Sequence, residues 1–313
     1  MNSILRWHRP LMLVTVFMAI LMIVSAVGLF TDERSLLGVP IWLKPFKFAV
    51  SFGLYSLTLA WLLSLPHKGS RWTWWLGTIF AVAGGIIDVS IVFLQAGRGT
   101  FSHFNGSADP FDDKISAVFG MGVNFIILTN LAMAAILGFQ RLGDRTASRA
   151  IHAGLFLALA GMGVGMLMAF ATEGQVAADA AGRAVPLMAG HSIGVPDGSP
   201  GLPLTNWSTT GGDLRVPHFL GLHGLQVILL SGIGLSLLAQ RSIMLRDERT
   251  RVRLVTTVAC GYSGLVLLAT WQALRGQPVT HPDALTLGAL AAVILTTAIG
   301  SWVVIKTRAI LPG

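Results

Sequence analysis

A single cysteine, Cys260, occurs in 313 residues. One thiol excludes an intrachain disulfide and any multi-cysteine zinc or iron–sulfur site, and its place inside an apolar stretch reads as small-residue packing. Charge is also scarce. Asp, Glu, Lys and Arg make up 12% of the chain, where ordinary soluble domains carry about 25%. With 53% hydrophobic residues and a mean hydropathy of +0.70, too little charge is present to cover a surface facing water. Acidic residues are the rarer sign, 14 against 22 basic, for a net charge of +8. The basic excess lies in short loops between apolar runs. That is a signal of membrane topology, not a patch for nucleic acid, and no nucleic-acid partner is expected.

What is plentiful is long apolar sequence. Eight stretches are long enough to cross a bilayer core of ~30 Å, which takes ~20 helical residues: 11–30, 46–65, 74–95, 113–138, 150–172, 218–240, 252–274 and 284–305. The first outruns the apolar core of a signal peptide and reads as an uncleaved helix. With the N-terminus in the cytoplasm, Arg6, Arg9, Lys68, Arg71, Arg141, Arg145, Arg149, Arg241, Arg246, Arg249, Arg251, Arg253, Lys306 and Arg308 all fall inside, accompanied only by Asp144, Asp247 and Glu248. The positive-inside rule therefore predicts both termini in the cytoplasm and a multi-pass protein of the cell (inner) membrane.

Short matches recur in order between the two halves. QAGRG (95–99) ends the third span and QALRG (272–276) the seventh, each followed by a histidine, His103 or His281. LKPFKF (43–48) opens the second span and LRVPHF (214–219) the sixth; FTDE (30–33) and ATEG (171–174) close the first and fifth. The expected fold is all-α: a polytopic membrane protein whose eight transmembrane helices form two parallel four-helix repeats, residues 1–145 and 146–313. The second half carries an extracytoplasmic insertion at about 173–217, rich in Gly, Pro, Ser and Ala.

Polar residues within a bilayer are costly and point to function, and here they crowd the outer ends of the spans. Lys44, Lys47, Asp88, Gln95, Arg98, Glu173, Asp213, Arg215, His218, His223, Gln226, Gln272, Arg275, His281 and Asp283 lie there; the inner halves offer Ser, Thr, Asn130 and His152. Asp88, Gln95 and Arg98 form the candidate catalytic set. Asp88 and Gln95 share a helix face, with Asn124 or Lys47 as the expected partner of Asp88. Lys44, Lys47, Arg98, Arg215 and Arg275 either surround one outer cavity and hold an anionic small molecule, or snorkel to the head-group region of the lipid bilayer.

His218 and His223, five apart, stand about 140° around a helix and need a ligand from another segment, His103 or His281, to hold haem or a transition metal. His218, His223 and His281 are thus the candidate metal ligands. With His103, Arg215 and Arg275 they are also the candidate cofactor-binding residues, a structural role at a wet interface being the alternative. SHFNGSADPFDD (102–113) reads as a structured lid or a re-entrant loop. GHSIG (190–194) matches a hydrolase nucleophile elbow without the strand–turn–helix context that motif needs. Gly161 and Gly165 allow close helix packing.

The blocks WLKPFKF, RGTFSHFN and GGDLRVPHFLGLHGLQ resemble ones in bacterial multi-pass membrane proteins to which no chemistry is attached. In plan alone the chain is similar to haem A synthase: eight spans, two four-helix halves, cytoplasmic termini and haem sites toward the outside. That resemblance implies paired histidines in each half. The second half offers His218 or His223 with His281, the first only His103 with Lys47 opposite, and none of that family's motifs is present. Three functions follow as expectations: a haem- or metal-dependent oxidoreductase using haem b or a transition metal, a transporter of a small solute, or a non-catalytic assembly subunit.

Overall fold

The computed structural model describes residues 7–170, 173–182 and 187–309. Eight of its helices are long and apolar enough to cross a membrane: α1 (Arg9–Thr31), α2 (Leu43–Leu63), α3 (Ser70–Arg98), α4 (Pro110–Leu137), α5 (Arg145–Leu167), α7 (Arg215–Leu238), α8 (Glu248–Leu274) and α9, which spans Ala284–Thr307 of a helix running to Ala309. A short α6 (Glu173–Ala180) lies between α5 and α7. Two antiparallel hairpins complete the fold, β1–β2 (Ser35–Leu36, Val39–Pro40) before α2 and β3–β4 (Ser192–Ile193, Gly212–Asp213) before α7. The chain is a multi-pass, mostly helical membrane protein.

Each expected span is found, but four helices extend about a turn further at the end where the hairpins lie. α2 starts at Leu43, α3 runs to Arg98, α4 starts at Pro110 and α7 starts at Arg215. Apolar windows stop short of these turns because the turns carry Lys44, Arg98, Asp112 and Arg215. In contrast, α5 ends at Leu167, so Glu173 does not close it but opens α6. Helix starts are set locally: Asp109 accepts from the Phe111 N–H at 3.0 Å ahead of Pro110, Asp144 from Ala147 N–H at 2.6 Å, and Asp247 from Thr250 N–H at 3.1 Å, satisfying otherwise orphaned donors.

The most extensive pairings are α5 on α7 and α1 on α2, followed by α8 on α9 and on α7. α5 and α7 cross where two glycines meet: a Cβ on Gly221 would sit 2.4 Å from the Gly161 Cα. Gly165, one turn on, makes room for the His218 imidazole, 2.7 Å from where its own Cβ would be. α3 departs from α geometry over Ala81–Asp88, a π-helical stretch ending at Asp88. Leu, Ile, Phe and Trp side chains exposed along α1, α4 and α9 form the apolar exterior, and Cys260 is on it.

Candidate ligand-binding chamber

Two adjoining cavities, each of about 240 Å³, open between the halves at the hairpin end of the bundle. Phe48, His103, Phe104, Met168 and His218 line both, so they are two lobes of one chamber. The outer lobe is lined by Lys44, Lys47, Arg215, His191 and Asp197 among apolar residues of the hairpins. The inner lobe is walled by Phe52, Phe80, Phe119, Met162 and Met166, with Asp88 the one carboxyl among its described lining residues.

The outer lobe is built on two helix starts. α2 and α7 each begin with a cation and a proline in the first turn, Lys44–Pro45 and Arg215–Val216–Pro217, and each follows a hairpin. In the register of the sequence match, Lys44 corresponds to Arg215, Lys47 to His218 and Phe48 to Phe219, and all six line this lobe. Helix N-termini favour anions. The cations differ in what they hold. Arg215 is spent on Asp213, at 2.6 Å, and on the Asn206 carbonyl. Lys47 donates to the Thr205 carbonyl at 2.7 Å. Lys44, close enough to Lys47, Arg215 and Asp197 to feel their charge, makes no hydrogen bond or ion pair with any described residue.

The insertion covers this lobe. Met188 N–H donates to the Phe104 carbonyl at 3.0 Å, Gln175 to the Leu187 carbonyl at 2.7 Å, and Leu214 N–H to the His191 carbonyl at 2.9 Å. Asp197 accepts from His191 Nδ1 at 2.8 Å and from the N–H groups of Ser192 at 3.0 Å and His191 at 3.2 Å. Burial alone would raise the Asp197 pKa; the hydrogen bonds from His191 and Ser192 outweigh it and bring it to about 2. His103, half-buried in the chamber wall and facing Lys44, His191 and His218, is held neutral by desolvation and by those charges, its pKa well below 6.5. Among the described residues, the non-glycine positive φ angles are at Leu204 and Asn206 in the insertion, Leu37 in the first hairpin and Phe104 in the loop after α3. Such backbone costs about 1–3 kcal/mol per residue and gathers at functional sites.

The remaining candidates are placed elsewhere. Gln95 and Arg98 do not reach the chamber. Gln95 Nε2 donates to Asp112 at 3.0 Å and to the Phe101 carbonyl at 3.2 Å, while Arg98 binds Gln95, Asp112 and Asp109, the last at 3.0 Å. This cluster anchors the 102–113 loop, so the expected catalytic set Asp88, Gln95 and Arg98 is not assembled. Arg275 pairs with Asp283 at 2.6 Å and lies over the Trp271 ring, and Gln272 Nε2 donates to the Pro278 carbonyl at 3.0 Å. The two helix ends therefore match. Each glutamine holds the carbonyl six residues on, each arginine pairs with an Asp at the start of the next helix, and a left-handed glycine follows, Gly99 or Gly276, with φ of 72° and 70°.

His281 is exposed on the turn before α9 and bonds Thr280 at 2.9 Å; it lines neither lobe, so it meets neither His218 nor His223. His223 lies in the α2–α7 seam, hydrogen-bonded through Nε2 to Ser51 at 2.9 Å. His218 donates from Nδ1 to the Gly161 carbonyl at 2.8 Å, which leaves Nε2 as the ring's acceptor. Among the described residues no three His, Cys, Asp or Glu side chains gather closely enough to hold a metal ion. The expected metal trio and the expected axial pairs with His281 are not formed, and the histidines shared by both lobes are His103 and His218. Neither expected partner reaches Asp88: Asn124 donates to the Gly120 carbonyl and Lys47 to Thr205.

Comparison with known proteins returns no match. No family model, curated protein or solved structure is significantly similar to this chain. The reading of the chamber therefore rests on its own chemistry. Sequence reasoning named Lys44, Lys47, Arg215, His103 and His218, which line it, and passed over Asp197, whose only signal was an acidic residue next to glycine in an insertion without periodicity.

Proposed function

We propose that this protein binds an acidic amphiphile in the chamber, with the acidic group in the outer lobe and the apolar body in the inner one. The observation that carries the reading is Lys44: a cation with no partner among the described residues, on the first turn of a helix, in a lobe continuous with an aromatic- and methionine-lined cavity. A half-buried ammonium left unpaired in a largely apolar cavity gains from a carboxylate or phosphate, which offers it a charge-assisted hydrogen bond. His103, His191 and Arg215 add polarity around the same point.

The distribution of basic loops supports an extracytoplasmic position for this end of the bundle. The ligand then enters from the extracytoplasmic side of the inner membrane. The matched helix ends and the paired starts of α2 and α7 support a four-plus-four duplication, with the site on its axis, where parallel-repeat membrane proteins place ligands.

The test is to purify the protein in mild detergent, extract it for lipid mass spectrometry and record its visible absorption. A stoichiometric acidic lipid, retained by the wild type and lost from Lys44→Gln, is the expected result. A Soret band instead would assign the chamber to haem, with His103 and His218 as the candidate ligands. Absence of any bound acidic amphiphile, with no binding of added dodecanoate, overturns the proposal.

A further inference from the structure

Asp88 sets a second condition on the ligand. Its side chain is 1% exposed, and neither carboxyl oxygen has a hydrogen-bond partner among the described residues. It lines the inner lobe in company with Phe, Met, Val and Ile side chains. A buried polar group left unsatisfied costs about 1–3 kcal/mol, more when charged. Such a group in a native fold calls for a reason, and a bound partner that satisfies it is one.

Two features of the fold hold the carboxyl in that position. The opposing residue on α4 is Gly122, and a Cβ there would lie 1.9 Å from Asp88 Oδ1, so any other residue would displace the acid. The π-helical stretch Ala81–Asp88 ends on this residue, and widened turns of this kind recur at functional sites. Packing alone does not require an acid here: in the register set by QAGRG and QALRG, the residue corresponding to Asp88 in the second half is Leu265.

We infer that the inner lobe recognises a hydrogen-bond donor, a hydroxyl or amino group, at the end of the ligand opposite its acidic group, and that Asp88 is the residue that binds it. The inference rests on the proposed function, because the acidic group must sit at Lys44 for the far end to reach the inner lobe. The ligand class is then an elongated apolar molecule with an acid at one end and a donor at the other.

Three probes separate the possibilities: dodecanoate, 12-hydroxydodecanoate and 12-aminododecanoate, bound to the intact protein in non-ionic detergent and quantified by native mass spectrometry. The wild type is expected to prefer a donor-bearing probe over dodecanoate by roughly tenfold, the worth of one hydrogen bond to a buried polar group. Asp88→Leu, which removes an unsatisfied group and installs the residue of the second half, is expected to melt no lower than wild type and to bind all three alike. Lys44→Gln is expected to weaken all three together and leave their ratio unchanged. Equal binding of the three by wild type, or a preference that survives Asp88→Leu, overturns the role of Asp88 while leaving the chamber intact. If none of the three binds, the reading of the chamber fails and this one with it.

Discussion

Lys44 and Lys47 are one turn apart on α2, yet among the described residues only Lys47 has an acceptor, the Thr205 carbonyl. Removing Lys44 should therefore reach the ligand directly. Lys44→Gln is expected to weaken dodecanoate binding by about tenfold, the low end for a hydrogen bond to a charged group, and Lys44→Arg to restore most of it. Native mass spectrometry measures both. Two other side chains give stability a pH dependence. His103 is neutral in the folded protein to well below its ordinary 6.5, so the unfolded chain binds the proton first. Stability is level above pH ~6.5 and falls below it by up to about 1.4 kcal/mol per pH unit. His103→Gln should flatten that part of a melting profile. Asp197 works in a lower window. With its pKa brought from 3.8 to about 2, its contribution, about 2 kcal/mol, is complete above pH ~4 and lost as pH falls through 2. Hydrogen exchange in residues 190–214 is expected to rise over that interval, and in Asp197→Asn to be raised already at neutral pH.

The spans were legible because hydrocarbon permits only one pattern, and every one of the eight expected stretches is a helix. What the helix ends do was not legible. Gln95–Arg98 and Gln272–Arg275 read equally well as ligands or as caps, and the choice depends on Asp112, Asp109 and Asp283 arriving from the following segment. Nor does side-chain pattern reveal the π-helical stretch, although each residue it absorbs turns the rest of α3 by roughly 100° relative to a continuous α-helix and so decides where Asp88 faces. The glycine pair was half legible. Gly161 was a packing candidate, but its partner Gly221 and the hydrogen bond from His218 to the Gly161 carbonyl came only with the fold. Gly161→Ala should push α5 from α7, lowering stability by about 2 kcal/mol and shifting His218. Gly234→Ala, on the same α7 with open space around it, should be tolerated. Thermal melts of the pair in detergent make the comparison.

At the scale of the whole molecule, the chamber's meaning depends on which side of the membrane it faces. The starts of α2 and α7, the ends of α3 and α8, and the insertion all lie at one end of the bundle. The basic loops after α2, α4 and α7 lie at the other. Short basic loops are held in the cytoplasm, so the chamber should face out. The lone thiol makes this directly testable, because Cys260→Ser gives a chain with none. Into that background, Leu204→Cys places a thiol on the exposed cover of the outer lobe, and Phe139→Cys one on the exposed turn after α4. In intact spheroplasts a membrane-impermeant maleimide is expected to label position 204 and spare position 139 until the membrane is opened. The reverse pattern would put Lys44 and the outer lobe in the cytoplasm, and the acidic amphiphile would then have to come from the inner leaflet.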